Sequence, residues 1–201
     1  MVRPQGNFRA QGQVLPNGAF GSLFLAELTL AMMVIGCTLV EFNDAVSRDG
    51  MSYYGVHRKT IPILVSGLTL SIVFFLKAAS RFDVPGAGHL ISRALKFFSG
   101  AAITLFLTPY SVNTYFDLLH KTIGTTLFLG QLGLSLHWIV ERSRDRIGWF
   151  AVLLQAVGGL VALLSLPHQS LGFQFEGQIL FQIGFFSLLN HVSKEIDLSS
   201  S

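Results

Sequence analysis

The chain has 201 residues, of which 51% are hydrophobic and only 12% charged, with a net charge of +3. Soluble domains carry about 25% charged residues, so a water-facing surface of ordinary polarity is excluded. The basic balance does not mark a nucleic-acid partner either, because the Lys and Arg sit in short clusters between apolar blocks, with no basic stripe interleaved with aromatics.

Residues 1–16 are polar and rich in Gln and Gly, without the apolar core of a cleaved signal peptide. A bilayer core takes about 20 mostly apolar residues per helix. Blocks of that kind run over 20–42, 60–79, 89–108, 121–140, 147–166 and 172–191. Pro62 suits the first turn of the second block, and Pro109 and Pro167 stand just past the ends of the third and fifth. In the third block Arg93 and Lys96 must reach back to the interface. The expected fold is therefore all-α: a polytopic membrane protein, a compact bundle of six transmembrane helices. Its divisions are a polar N-terminal segment 1–19, a transmembrane domain 20–193 and a flexible tail 194–201.

Orientation follows from the basic residues. With the N terminus inside, Arg3, Arg9, Lys77, Arg81, Arg93, Lys96, Arg142, Arg144, Arg146 and Lys194 face the cytoplasm, against Arg48, Arg58, Lys59 and Lys121 outside. Six spans return the C terminus to the cytoplasm as well. Short links make sequential helices antiparallel neighbours. The single cysteine, Cys37, lies within the first block and is read as a packing residue.

This topology gathers polar residues at the outer face. Glu41 ends the first span; the loop 43–59 supplies Asp44, Asp49, Tyr53, Tyr54 and His57; the next turn supplies Tyr110, Asp117 and His120; the last supplies His168 and Glu176. Three readings stay open: a self-bonded cap, a pocket for a small molecule or lipid headgroup, and a catalytic centre. Asp117 and His120 share a helix face at i, i+3, but there is no HExxH or paired HxxxH, so no metal is assigned. A metal-free hydrolase needs a nucleophile beside a base; Ser47, Ser52 and Ser111 are available, and spacing favours none of them.

Ionisable groups at membrane depth are functional suspects. Glu27 lies about two turns into the first span, His137 near the inner end of the fourth, and Asn190 and His191 near the inner end of the sixth. Expected partners for Glu27 are His137, His191 or Arg93. A relay of acids through the midplane is not visible. No cofactor is implied: His120 and His137 stand about 25 Å apart along one helix, too far to share a haem. A transporter lacks its internal repeat and broken helix.

The stretch Phe42-Asn43-Asp44 through Ser52-Tyr53-Tyr54-Gly55-Val56, followed by Thr60-Ile61-Pro62, resembles bacterial six-helix membrane proteins of a domain-of-unknown-function family, distantly similar to the DRAM-like membrane proteins. In that group a His opens the fourth span, here Leu119-His120-Lys121-Thr122-Ile123-Gly124, and an acid opens the last, here Phe175-Glu176-Gly177, where Gly177 replaces the group's Trp. The resemblance implies a bacterial plasma-membrane location and directs attention to Tyr53, Tyr54, Gly55, His120 and Glu176 as one outer cluster. Its implied partners are membrane lipids, with a membrane-protein partner open. The leading expectation is binding or sensing of a lipid or small ligand at the outer face, or an accessory-subunit role. The alternatives are a membrane-embedded hydrolase using the outer His and carboxylate cluster, and an ion or small-molecule transporter.

Overall fold

The computed structural model of the protein describes residues 18–83, 87–110, 112–141, 145–165 and 172–200. Within them the chain is helical: α1 Ala19–Val40, α2 Asp44–Asp49, a 3₁₀ segment Gly50–Gly55, α3 Ile61–Arg81, α4 Ala87–Leu107, α5 Thr114–Glu141, α6 Arg146–Ser165 and α7 Gln174–Ser200. Among the described residues, five helices (α1, α3, α4, α5 and α6) are long and apolar enough to cross a membrane, the pattern of a multi-pass membrane protein. Their outer surfaces agree with that: Leu39 is 83% exposed, and Met32, Leu129, Val140, Ile147 and Phe150 are also largely bare, a surface that water would not tolerate.

Helix α7, expected as the sixth span, is long but more polar, carrying Glu176, Gln178, Gln182, Asn190, His191 and Lys194. It also runs on through the residues expected as a loose tail, to Ser200. Its polarity is tolerated because α7 is wrapped by the other helices. Phe181, Phe185, Leu188, Leu189 and Val192 are buried along it. It lies closest to α6, where both helices present glycine: a Cβ on Gly177 would come within 2.7 Å of the Gly158 carbonyl oxygen, and one on Gly184 within 2.6 Å of the Ala151 carbonyl oxygen.

The ends of the helices are set by local chemistry. Asn43 caps α2, its Oδ1 accepting from the Ala45 and Val46 amides at 3.0 and 3.1 Å. The loop expected over 43–59 is thus largely helical. Asn113 caps α5 by accepting from Phe116 N at 2.9 Å, so that helix starts at Thr114, a full turn and more before the expected Lys121. Asp117 and His120 consequently lie inside α5 rather than on a turn. Asp145 caps α6 through Gly148 N at 3.0 Å.

Two buried clusters form. At one end, Tyr53, Tyr54 and Val46 pack with Cys37 and Phe175. At the far end, Leu23, Phe82, Ile91, Trp138, Phe185 and Leu189 share a larger core. The far end is also tied electrostatically. Arg81 donates to the Gly18 carbonyl at 2.6 Å, and Asp83 accepts from His89 at 2.9 Å and Lys96 at 3.1 Å. Those bonds, His89's first, hold the Asp83 carboxyl below its usual range. Lys96 thus finds its partner at the helix end, where it was expected to reach the interface.

Candidate functional site

Between the two clusters the bundle is hollow. A cavity of about 500 Å³ is bounded by α1, α3, α4, α5, α7 and the 3₁₀ segment. Its wall is mostly Leu, Ile, Phe, Val and Met, and only Glu27, Ser52, Tyr110, His120, Gln131 and Gln182 bring side chains with oxygen or nitrogen. Glu27 belongs to one end and Ser52, Tyr110 and His120 to the other, so the space runs along the bundle.

The upper rim is built by the 43–60 segment clamped onto α7. Gly50 turns the chain out of α2 at φ 70°, and a Cβ there would meet the Gln178 side chain. Gln178 in turn accepts from Met51 N at 2.8 Å, and Ser47 donates to Glu176 at 2.8 Å. This docking places Ser52 against α5. The hydroxyl of Ser52 stands 2.8 Å from Nε2 of His120, and Nδ1 of His120 stands 2.8 Å from the Thr108 carbonyl oxygen. That carbonyl is available because Pro109 stops α4.

A carbonyl oxygen can only accept, so Nδ1 carries the hydrogen. In the neutral ring Nε2 is then a bare lone pair, and the Ser52 hydroxyl donates to it. Tyr110 completes the rim, with its ring centroid 6.0 Å from that of His120 and its hydroxyl 3.5 Å from Asp49 Oδ2. Burial, reinforced by the Asp49 charge, pushes the Tyr110 phenol up to about 12, so it stays a hydrogen-bond donor through the alkaline range.

The other expected outer residues divide into separate groups. Tyr53 donates to Glu41 at 2.9 Å and accepts from Asn43 at 3.1 Å. The His57 ring stacks on Tyr53 at 3.6 Å between centroids, with Nδ1 2.7 Å from the Tyr53 carbonyl. Tyr54 is buried, shares a hydrogen bond of 3.1 Å with Thr38 and has its phenol raised chiefly by burial. Asp44 is exposed in the first turn of α2. Asp117 pairs with Lys121 at 2.7 Å, one turn along α5. Glu176 is held by Ser47, and His168 lies outside the described residues. Thus His57, Asp117, His120 and Glu176 each bind a different partner and do not converge.

The deep polar residues also find partners other than those expected. Glu27 Oε2 accepts from Asn190 Nδ2, while His137 pairs with Glu141 at 3.7 Å and Arg93 is exposed. Glu27 Oε1 and Asn190 Oδ1 are buried with no hydrogen-bond partner. About two turns from Asn190 along α7, Gln182 exchanges hydrogen bonds with Gln131 of α5 at 3.2 and 3.5 Å.

At the far end His191 Nε2 sits 2.8 Å from Asp145 Oδ2 and 3.4 Å from Glu195 Oε1. The first contact is short but is not aligned as a hydrogen bond; the attraction is coulombic when the ring is protonated. Among the described residues, these three side chains alone bring metal-capable atoms within 4.8 Å of one another. In the sequence Asp145 is flanked by the basic residues Arg144 and Arg146.

Comparison with protein-family models, with curated proteins and with solved structures returns no match for this chain. The pairing of Ser52 with His120 was not legible in the sequence. The one available signal was that Ser52 immediately precedes the Tyr53-Tyr54-Gly55 stretch, whose tyrosines face inward and fix its position.

Proposed function

We propose that this protein is a six-span membrane protein that takes the apolar chain of a lipid or similar amphiphile into the cavity between α1, α3, α4, α5 and α7, with the polar end at the Ser52–Tyr110–His120 rim. The observation that carries the reading is the cavity itself. Its volume of about 500 Å³ falls among ligand sites, and its wall is mostly apolar, with Ser52, Tyr110 and His120 at one end, Glu27 at the other and the mutually bonded Gln131 and Gln182 between them. Packed interiors keep few voids larger than a water molecule, so a space of this size between two well-packed clusters suits an occupant.

In this reading α7 is the sixth crossing, and the rim lies on the outer side of a bacterial plasma membrane. The support is the distribution of Lys and Arg, ten of which fall on the side opposite Ser52. Reporter fusions after Ser52 and Arg144 are expected to report opposite compartments; the same compartment for both removes the six-span arrangement.

Binding is tested with a fatty acid carrying a photoreactive diazirine, cross-linked to the protein in membranes and mapped by mass spectrometry. Adducts are expected on cavity residues such as Leu64, Phe98, Leu127 and Ile183. Ala102→Trp, which fills the space from α4, should remove them. Adducts confined to outward-facing residues such as Leu39 and Phe150 would sink the reading.

A further inference from the structure

The geometry points to Ser52 as a nucleophile and His120 as its general base, acting on the carboxylic ester of an amphiphile whose acyl chain lies in the cavity. This inference rests on the binding reading above and adds a reaction to it.

Three observations carry it. The Ser52 hydroxyl is 2.8 Å from His120 Nε2, within the reach that nucleophile activation requires. The base is oriented by a third group, because the Thr108 carbonyl holds Nδ1–H at 2.8 Å and leaves Nε2 free to take a proton. Ser52, His120 and Tyr110 all border the same apolar cavity, so the pair meets a chain-shaped space rather than bulk water. Other serines reach across elements to oxygen acceptors, as Ser71 does to the Ala26 carbonyl and Ser135 to Gln155; Ser52 is set against an imidazole nitrogen, a group that can take its proton.

The chemistry balances without a metal or redox partner. Ser52 Oγ attacks the ester carbonyl carbon and its proton passes to His120 Nε2. The carbonyl oxygen becomes an oxyanion, to which the Tyr110 hydroxyl donates by turning from its long 3.5 Å contact with Asp49. Collapse breaks the carbon–alkoxy bond, and the proton on Nε2 goes to the departing alkoxide. Water then attacks the acyl carbon of the Ser52 ester, His120 takes its proton, the bond to Ser52 Oγ breaks, and that proton returns to Ser52. The products are a carboxylic acid and an alcohol. The Thr108 carbonyl is a positioning group that fixes the tautomer.

The test uses the full-length protein in detergent. An alkyl fluorophosphonate should label Ser52, identified by peptide mass spectrometry, and p-nitrophenyl dodecanoate should be hydrolysed. Ser52→Ala is expected to lower both signals at least a hundredfold. Ser66→Ala, which loses only bonds to carbonyls of its own helix, should leave them within twofold. Tyr110→Phe should slow hydrolysis at least tenfold with labelling site unchanged. Should His120→Gln unfold the protein, Ser52→Ala and Tyr110→Phe still decide. Fatty acid released from a diacyl phospholipid in vesicles marks a membrane lipid as the substrate; turnover of the p-nitrophenyl ester alone marks a free acyl ester. No adduct on Ser52 in folded protein, or hydrolysis that survives Ser52→Ala, overturns the assignment. If the diazirine fatty acid still cross-links inside the cavity, only the reaction falls; if it does not, the binding reading falls with it.

Discussion

The two ends of the cavity solve the same problem in opposite ways. At the rim each polar group has a partner: Ser52 has His120, His120 has Thr108, and Gln178 has Met51 N. At the deep end Glu27 and Asn190 bond to one another but each keeps a buried oxygen without a donor. An unmet acceptor in a low-dielectric interior is costly, whereas a network in which every group is bonded is stable. Rim substitutions should therefore show in chemistry and binding, and deep-end substitutions should show in stability.

The largest stability effect falls on the packing around the deep end. Phe185 is 1% exposed and meets Phe98 edge to face at 5.4 Å. Phe185→Ala is expected to cost about 3–5 kcal/mol, read as a collapse of the thermal transition in detergent. Next comes Asn190→Leu, which leaves both Glu27 oxygens without a donor and costs about 1–3 kcal/mol. Pairing it with Glu27→Leu removes the stranded polar groups altogether. The double variant should melt above Asn190→Leu, since apolar replacement of a buried polar pair is neutral or stabilising. A double variant less stable than the single one breaks the contrast between the two ends.

The same contrast explains what the sequence could and could not disclose. Apolar block length located α1, α3, α4 and α6 to within a few residues, because hydrocarbon demands long uninterrupted runs whatever the neighbours are. Helix α5 began early because its start is fixed by one Asn113 hydrogen bond, which hydropathy does not register. Helix α7 is polar enough to blur its status as a crossing, and its shielding by the helices around it is a property of the assembled bundle. Glu27 and His120 stood out by chemical type at their depths. Their partners did not, since Asn190 lies 163 residues from Glu27 and Ser52 lies 68 from His120. Tertiary packing, which brings these residues together, has no local signature. Ser52 had a competitor in Ser47 until the Gly50 turn and Gln178 fixed which of the two faces α5, while Ser111 lies outside the described residues.

Smaller effects sharpen the rim. Tyr53→Phe removes the bonds to Glu41 and Asn43 but keeps the ring under His57, so it should cost about 1–2 kcal/mol. Ser52–His120 is carried by the following residues of the same 3₁₀ turn. A drop in fluorophosphonate labelling in Tyr53→Phe that exceeds the drop in stability would mean that the tyrosine anchor tunes the dyad as well as holding the loop.

The smallest expected effect tests whether the rim is one network or several. Asp117 shares α5 with His120 but bonds only Lys121, one turn away, and its partner's side chain is 61% exposed. An exposed pair of this kind contributes about 0.3–0.5 kcal/mol. Asp117→Asn should therefore shift the melting temperature barely beyond error and leave Ser52 labelling within twofold. If it instead reduced labelling tenfold, the carboxylate would be acting on His120 from three residues away along the helix, and the Thr108 carbonyl could not be the group that orients the imidazole. The assignment of the tautomer, and with it the direction of the proton from Ser52, turns on that small substitution.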